Sequence, residues 1–96
     1  MKTKKRSGNV FRDLGFGKKE SANLNVRAML MAEIEKYIKQ EGITQAQAAR
    51  RFGVTQPRVS DLIRGKITLF TADMLINMLA SAGIAVTFHA EKEKAA

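Results

Sequence analysis

The sequence predicts an all-α domain built as a bundle of four to five helices. Apolar residues recur at three- and four-residue steps over residues 21–40, which is the period of a helix with one buried face. Two later stretches, Thr44 to Gly65 and Thr71 to Gly83, begin at helix-capping residues and end at glycines. The 96 residues, of which 45% are hydrophobic and 27% charged, suit a single globular core.

A basic arm precedes the domain. Residues 1–8 contain four basic side chains and no apolar stretch to anchor them, so we expect them to be disordered. Two roles suit such an arm: a solubilising tail, or a segment that contacts DNA phosphates or the minor groove. We expect one domain over residues 9–90 and a frayed tail over residues 91–96.

An apolar segment opens the domain. It carries four large apolar side chains between glycines: Val10, Phe11, Leu14 and Phe16. Because water is a poor environment for so apolar a segment, we predict either that it packs on its own domain or that it docks another protein.

The first long helix is predicted over residues 21–40 and ends at Gly42, after which Ile43 enters the core. Its buried stripe is expected to comprise Leu24, Ala28, Met31, Ile34 or Glu35, and Ile38. Met29 and Met31 are interpreted as residues that fill the core.

Residues 44–65 predict two short helices joined by a glycine turn. Thr44 and Gln47 have the spacing of a capping box, and Gly53 can take the positive φ that ends a helix. Pro57 stands in the first turn of the second helix, where its missing N–H has no partner to lose. The apolar positions fall on the facing sides of the two helices: Ala48, Ala49, Phe52, Val54, Val59, Leu62 and Ile63. This pattern is typical of a helix-turn-helix, and a plain helical hairpin is the alternative.

A last helix is predicted between a Thr71 cap and Gly83, with a strand after it over residues 84–89. In that strand Ile84, Val86 and Phe88 would share one face. A lone strand leaves its backbone groups unpaired. We therefore expect it to pair with the same strand of a second copy about a two-fold axis, or to form a hairpin with the segment 10–16.

The charge of the chain favours a polyanionic partner. Seventeen Lys and Arg against nine Asp and Glu give a formal charge of +8, which points to nucleic acid before an anionic membrane. Residues 1–19 hold seven basic and one acidic side chain, and residues 44–66 hold five and one. No apolar run is long enough to span a bilayer, and there is no secretory signal, so we expect a cytoplasmic protein without a membrane partner.

The same residues give no basis for predicting an enzyme. The chain has no cysteine, which excludes disulfides and thiolate metal sites. Neither a nucleophile placed beside a base, nor a phosphate-binding glycine loop, nor a metal-ligand spacing can be found. We expect no cofactor and no metal.

The second helix of the motif has the side chains that reading DNA requires. Gln56 can make a bidentate contact to adenine, and Arg58 can reach guanine or a phosphate. Ser60 can donate a hydrogen bond to either. Gln45, at the start of the first helix, is placed for a phosphate. The predicted DNA-contacting residues are Gln45, Thr55, Gln56, Arg58, Ser60, Arg64 and Lys66.

The other charged residues of the motif are expected to play lesser parts. Asp61 stands three residues from both Arg58 and Arg64, so we predict that it orients them through ion pairs. Arg50 and Arg51 are interpreted as solvated charges.

At residues 44–65 the sequence resembles the XRE family of helix-turn-helix regulators, the Cro and phage-repressor type. Gln45, Ala49, Gly53 and Val59 match its pattern of a first-helix Gln, an Ala four residues on, a turn Gly and a mid-helix aliphatic. Pro57 departs from the polar residue common at that place, so a direct base contact is not carried over to it.

The likeness extends over residues 9 to about 88. NVFRDLGF, GITQAQAARRFGV, QPRVSDLIRGK and the closing G-I-x-V look like the short XRE proteins that serve as antitoxins in HigB/HigA-type pairs. This resemblance implies a lambda-repressor-like bundle and a homodimer that binds a palindromic operator in double-stranded DNA. It also implies a repressor that neutralises a RelE/HigB-like ribonuclease toxin. A stand-alone phage-type regulator without a toxin is the alternative.

Overall fold

The computed structural model describes residues 7–93, with side chains from Val10 onward. Within this range the chain forms five α-helices and one 3₁₀ turn. The helices are α1 (Ser7–Asp13), α2 (Lys18–Glu41), α3 (Gln45–Phe52), α4 (Gln56–Ile63) and α5 (Ala72–Ser81), and the 3₁₀ turn (Ile67–Leu69) lies between α4 and α5. The predicted all-α bundle is confirmed.

The longest helix, α2, supplies one wall of the core. It begins a turn earlier than predicted and ends at Gly42, whose φ is +62° and whose N–H donates to the carbonyls of Ile38 and Lys39. The prediction that Met29 fills the core is wrong, because its side chain is 58% exposed. Leu30, which the predicted stripe omitted, is buried. Met29 lies about 200° around the helix from Met31, so the two cannot share a face.

The core lies where α2 packs against α3, α4 and α5. Its fully buried side chains are Ile34, Ala48, Phe52, Val59, Leu62, Phe70, Leu75 and Leu79. The rings of Tyr37 and Phe52 meet edge to face, with centroids 5.4 Å apart. Ile63 was expected in this core but is 38% exposed at the end of α4.

The apolar segment at the start of the domain is mostly helical, and it packs on α2. Phe11 is half-buried, and its ring centroid lies 6.2 Å from that of Phe16. The buried hydroxyl of Ser21 donates to the carbonyl oxygen of Phe16 at 3.4 Å. Val10 of α1 and Leu14 just after it remain 47% and 69% exposed, so the segment 10–16 covers part of α2 and keeps an apolar outer surface.

The strand predicted over residues 84–89 is not found. Residues 84–93 form neither helix nor strand. Ile84 and Val86 instead pack against the core and border an apolar groove with Met29 and Leu30 of α2. Ile84 and Val86 are thus partly covered, whereas Phe88, the third apolar residue of the alternating pattern, is 72% exposed. A strand also needs a neighbouring strand to pair its backbone, and residues 7–93 contain none.

The proposed hairpin with the segment 10–16 is excluded, because residues 7–13 are helical. The C-terminal segment runs back along α2: Glu93 Oε1 lies 2.9 Å from Lys18 Nζ. The hydrogen bond from Lys18 lowers the pKa of Glu93.

The two predicted termini lie mainly beyond the described residues. Ser7 and Gly8, which were assigned to the basic arm, belong to α1. Residues 1–6 and 94–96 are outside the described range, so the predictions for them stay predictions. Among the described helices, none combines the length and hydrophobicity needed to cross a bilayer.

The Thr44 capping box makes a local contribution to stability that can be measured. Thr44 Oγ1 accepts from the Gln47 N–H at 3.1 Å, and Gln47 Oε1 accepts from the Thr44 N–H at 2.9 Å. We expect Thr44→Ala to lower the free energy of unfolding by about 1 kcal/mol in urea denaturation. Thr68→Ala, at an exposed threonine in the 3₁₀ turn, is the control, with an expected change within about 0.5 kcal/mol. Equal losses in the two variants would contradict the prediction.

Candidate nucleic-acid interface

The turn between α3 and α4 requires glycine because of its backbone conformation. Gly53 has a φ of +69°, and the N–H of Val54 donates to the carbonyl of Ala49 at 3.0 Å, which closes α3 in a left-handed cap. A Cβ on Gly53 would also lie 3.3 Å from Ser81 Oγ of α5. The predicted turn is confirmed, and Ser81 of α5 lies next to it.

The start of α4 is held by a cap that the sequence reasoning did not assign. Thr55 Oγ1 accepts from the backbone N–H of Arg58 at 3.3 Å, and Pro57 stands in the first turn. Val59 and Leu62 are each 1% exposed and seat the helix on the core. These contacts fix both the start of α4 and its rotation about its own axis.

That rotation decides which side chains of α4 face outward. At about 100° per residue, the side opposite the two buried residues carries Pro57, Asp61 and Arg64. Arg58 and Ser60 lie on opposite flanks of this outward face and are half-buried. Two predicted DNA-contacting residues, Arg58 and Ser60, therefore lie at the edges of the outward face. Pro57 and Asp61 lie near its centre.

The predicted DNA-contacting residues differ in solvent exposure. The exposed ones are Thr55, Gln56, Arg64 and Lys66, and the half-buried ones are Gln45, Arg58 and Ser60. All but Gln45, which begins α3, lie on α4, at its cap or just beyond its end. The structure thus presents a polar and basic surface along α4, with Gln45 on the neighbouring helix.

Arg58 packs on its own domain. Its Nη1 donates to the carbonyl oxygen of Leu69 at 3.1 Å, and its guanidinium carbon lies 5.4 Å from the centroid of the Phe70 ring. Phe70 is fully buried, so the ring offers a fixed face for a cation–π contact. These contacts use one of the five N–H donors of the guanidinium and set its direction.

The 3₁₀ turn beside Arg58 is held from the other side by α2. Arg27 Nη1 donates to the carbonyl oxygens of Ile67 at 3.4 Å and of Phe70 at 3.0 Å. Arg27 Nε is buried without a hydrogen-bond partner in the described part of the chain. The sequence reasoning missed Arg27, because these contacts span 40 and 43 residues and no local pattern indicates them.

Asp61 does not pair as predicted. Its Oδ1 lies 3.7 Å from Lys66 Nζ, and the structure shows no ion pair from it to Arg58 or Arg64 within residues 7–93. The chain turns back after α4, where the N–H of Lys66 donates to the carbonyl of Asp61 at 3.1 Å. That turn brings the lysine beside the carboxylate and partly offsets the negative charge on the outward face.

Arg51, which was interpreted as a solvated charge, is exposed but makes side-chain contacts across the surface of the domain. Its Nη1 donates to Tyr37 Oη at 3.0 Å and to Glu41 Oε1 at 2.9 Å. These contacts, with the Tyr37 hydrogen bond contributing most, raise the pKa of Arg51. The residue therefore ties the end of α3 to the end of α2.

Comparison with known families agrees with this architecture. The family model described as a helix-turn-helix domain matches residues 10–91, which include α2 to α5 and part of α1. A search of characterised proteins finds no match to the chain. The family match thus concerns the whole fold and extends well beyond the motif of residues 44–65.

Proposed function

Because the chain belongs to the helix-turn-helix domain family and is a DNA-binding regulator, we propose that it is a sequence-specific repressor that binds a palindromic operator as a homodimer. The observation that carries this proposal is the outward face of α4, on a helix whose start and rotation are fixed by the Thr55 cap and the buried Val59 and Leu62. A rigid helix with a polar outer face is what the major groove accepts.

The proposed DNA contacts are of two kinds, contacts to bases and contacts to phosphates. Gln56 is exposed at the start of α4, where its amide can pair with an adenine edge. Gln45, Arg64 and Lys66 are placed for phosphates and set the register of the helix on DNA. Pro57 has no N–H to donate, so its contribution on the outward face is apolar contact, for which a thymine methyl is the suitable partner.

The proposal can be tested by selecting binding sites from a pool of random DNA duplexes. We expect an inverted repeat whose half-sites lie about one helical turn, roughly 34 Å, apart. Binding of the selected duplex and of scrambled duplexes would then be compared at several salt concentrations. Equal affinity for all duplexes would show that the chain is not a sequence-specific regulator.

Arg64 and Lys66 are expected to control the salt dependence of binding. If each neutralises one phosphate, the double variant Arg64→Ala and Lys66→Ala should reduce the slope of log K against log salt by about 1.8 for each bound subunit. The measurement is fluorescence anisotropy of a labelled operator duplex. Lys36→Ala with Lys39→Ala makes the same change of charge at exposed positions on α2, and its slope should match that of the unmodified protein. A common slope for the two double variants would contradict the assigned contacts.

The proposed dimer forms through residues 84–89 of two copies. Phe88 in this segment is 72% exposed, and Met29 beside the segment is 58% exposed, so a second copy would bury apolar surface that the single chain leaves in water. A dimer also places two α4 helices on DNA, since one helix contacts only a few base pairs.

The proposed biological setting is a type II toxin–antitoxin pair in the cytoplasm. The resemblance of residues 9–88 to short HigA-type antitoxins supports it, and the exposed Val10 of α1 and Leu14 just after it offer an apolar surface for a RelE/HigB-like ribonuclease toxin. The test is co-expression with the protein encoded by the adjacent gene, followed by titration of the two purified proteins. Rescue of growth and a complex weakened by Leu14→Asp would support the antitoxin role. Operator binding without toxicity or a complex would indicate the stand-alone regulator.

A further inference from the structure

Arg27 lies on α2, outside the helix-turn-helix, yet its hydrogen bonds end on the turn that supports Arg58. We propose that Arg27 is a positioning residue for DNA recognition: it fixes the 3₁₀ turn against which the Arg58 guanidinium is oriented toward DNA. The inference rests on the proposed function, because it assumes that Arg58 contacts the operator. It assigns a role in recognition to a helix that the motif does not include.

The two arginines bind the same turn. Arg27 donates to the carbonyls of Ile67 and Phe70, and Arg58 donates to the carbonyl of Leu69, which lies between them in the chain. The carbonyl of Ile67 also accepts from the backbone N–H of Phe70 at 3.2 Å, so Arg27 adds a second hydrogen bond to it, while the carbonyls of Phe70 and Leu69 at the end of the turn accept from Arg27 and Arg58. A shift of the turn away from α2 would move the acceptor that orients Arg58.

Phe70 links the two arginines more directly. Its carbonyl accepts from Arg27 at 3.0 Å, while its fully buried ring lies under the Arg58 guanidinium. One residue thus presents its backbone to α2 and its side chain to α4. Holding the carbonyl restricts the backbone from which the ring projects, and the ring restricts the plane of the guanidinium.

The hydrogen bonding of Arg27 indicates a role in position more than in stability. Its Nε is buried and has no partner among residues 7–93, and such an unsatisfied donor destabilises a fold. A methionine would fill similar space without that penalty. Compared with methionine, the arginine adds hydrogen bonds to the two carbonyls, and these hydrogen bonds hold the 3₁₀ turn in place.

An oriented guanidinium favours binding because less side-chain entropy is lost when DNA arrives. A free arginine samples many rotamers that DNA contact would have to restrict. In this protein Arg58 is already held by Leu69 and Phe70, with four of its N–H donors left for phosphate or base. Without Arg27 we expect the turn to move and Arg58 to regain that freedom.

A double-mutant cycle separates this role from a purely structural one. Arg27→Gln, Arg58→Ala and the double variant would be compared with the unmodified protein for binding of the selected operator duplex and for stability in urea. We expect Arg27→Gln to weaken operator binding by about two- to tenfold, the cost of immobilising one flexible side chain. In the Arg58→Ala background the same substitution should leave binding unchanged, while its effect on stability should be equal in both backgrounds.

Three further variants serve as controls for the cycle. Arg27→Lys should restore most of the binding, since one ammonium group can donate to both carbonyls. Arg51→Gln removes an arginine that also joins two helices through two side-chain hydrogen bonds, and its effect on binding should not depend on Arg58. If Arg27→Gln is unfolded at the assay temperature, Arg27→Met replaces it, because it keeps a long stem and removes the unsatisfied Nε.

The outcomes distinguish the two proposals. Equal effects of Arg27→Gln on binding with and without Arg58 would overturn the positioning role and leave the repressor function intact. Failure of the unmodified protein to prefer any duplex would overturn the proposed function itself. Loss of binding in Arg27→Lys equal to that in Arg27→Gln would also contradict the inference, because the hydrogen bonds would then not be the cause.

Discussion

Phe52→Ala is expected to lower the free energy of unfolding by about 3–5 kcal/mol, the usual cost of removing a buried phenylalanine ring. Phe52 is 1% exposed at the end of α3 and meets the ring of Tyr37 edge to face. A small domain has only about 5–15 kcal/mol of stability in total. The variant should therefore be partly unfolded at room temperature and bind the operator weakly, as measured by urea denaturation and by anisotropy on the same samples.

Arg50→Ala provides the control for this prediction. Arg50 lies two residues away on α3 and is exposed, so its loss should change stability by no more than about 0.5 kcal/mol. If Phe52→Ala cost less than about 1.5 kcal/mol, the ring would not be fixing α3 in the core. The position of Gln45 and of the turn at Gly53 would then need another explanation.

The parts of the fold that could be predicted are those whose chemistry is local. Thr44 and Gln47 satisfy each other's N–H across three residues, and Gly53 ends α3 with a φ available to glycine. Thr71 likewise accepts from the N–H of Met74 at 3.1 Å and starts α5 next to the predicted place. In each case the residues that decide the structure are neighbours in the chain, so a pattern of a few letters suffices.

The C-terminal segment could not be predicted in the same way. Ile84 and Val86 alternate with more exposed residues as in a strand, but these two side chains are only partly covered and Phe88, the third apolar residue of the pattern, is 72% exposed. Only Ile84 and Val86 of this segment pack against the core beside α2, and the chain offers the segment no neighbouring strand between residues 7 and 93. A period-two pattern thus does not suffice for a strand, because strand formation depends on a partner that lies elsewhere.

The candidate site likewise has features that local sequence patterns predicted and features that depend on residues distant in the chain. The bounds of α3 and α4 were predictable, whereas the environment of Arg58 depends on Leu69 and Phe70, eleven and twelve residues on, and through them on Arg27. Asp61 shows the limit of spacing rules, since the turn after α4 places Lys66 beside it. Helical spacing predicted the outward face but not which charges on it are already engaged.

The other large effect is expected at Phe88, through the proposed dimer. If the ring is buried against a second copy, each side chain contributes about 1.5–3 kcal/mol, and the two copies together contribute about 3–6 kcal/mol. Phe88→Asp should then raise the dimer dissociation constant by about two to four powers of ten. Sedimentation of the purified protein over a range of micromolar concentrations measures this directly, and operator binding should weaken with it.

Leu14→Asp is the matched control for Phe88→Asp, because both replace an exposed apolar side chain, 69% and 72% accessible respectively, by the same acid. Leu14 lies in the turn after α1, outside the proposed contact, so its variant should sediment as the unmodified protein does. Phe88→Leu should keep most of the dimer, since it preserves apolar area without the ring. A dimer unaffected by Phe88→Asp would exclude residues 84–89 as its contact. A monomer at all micromolar concentrations would require the two half-sites to be filled independently, and cooperativity would then have to come from the DNA.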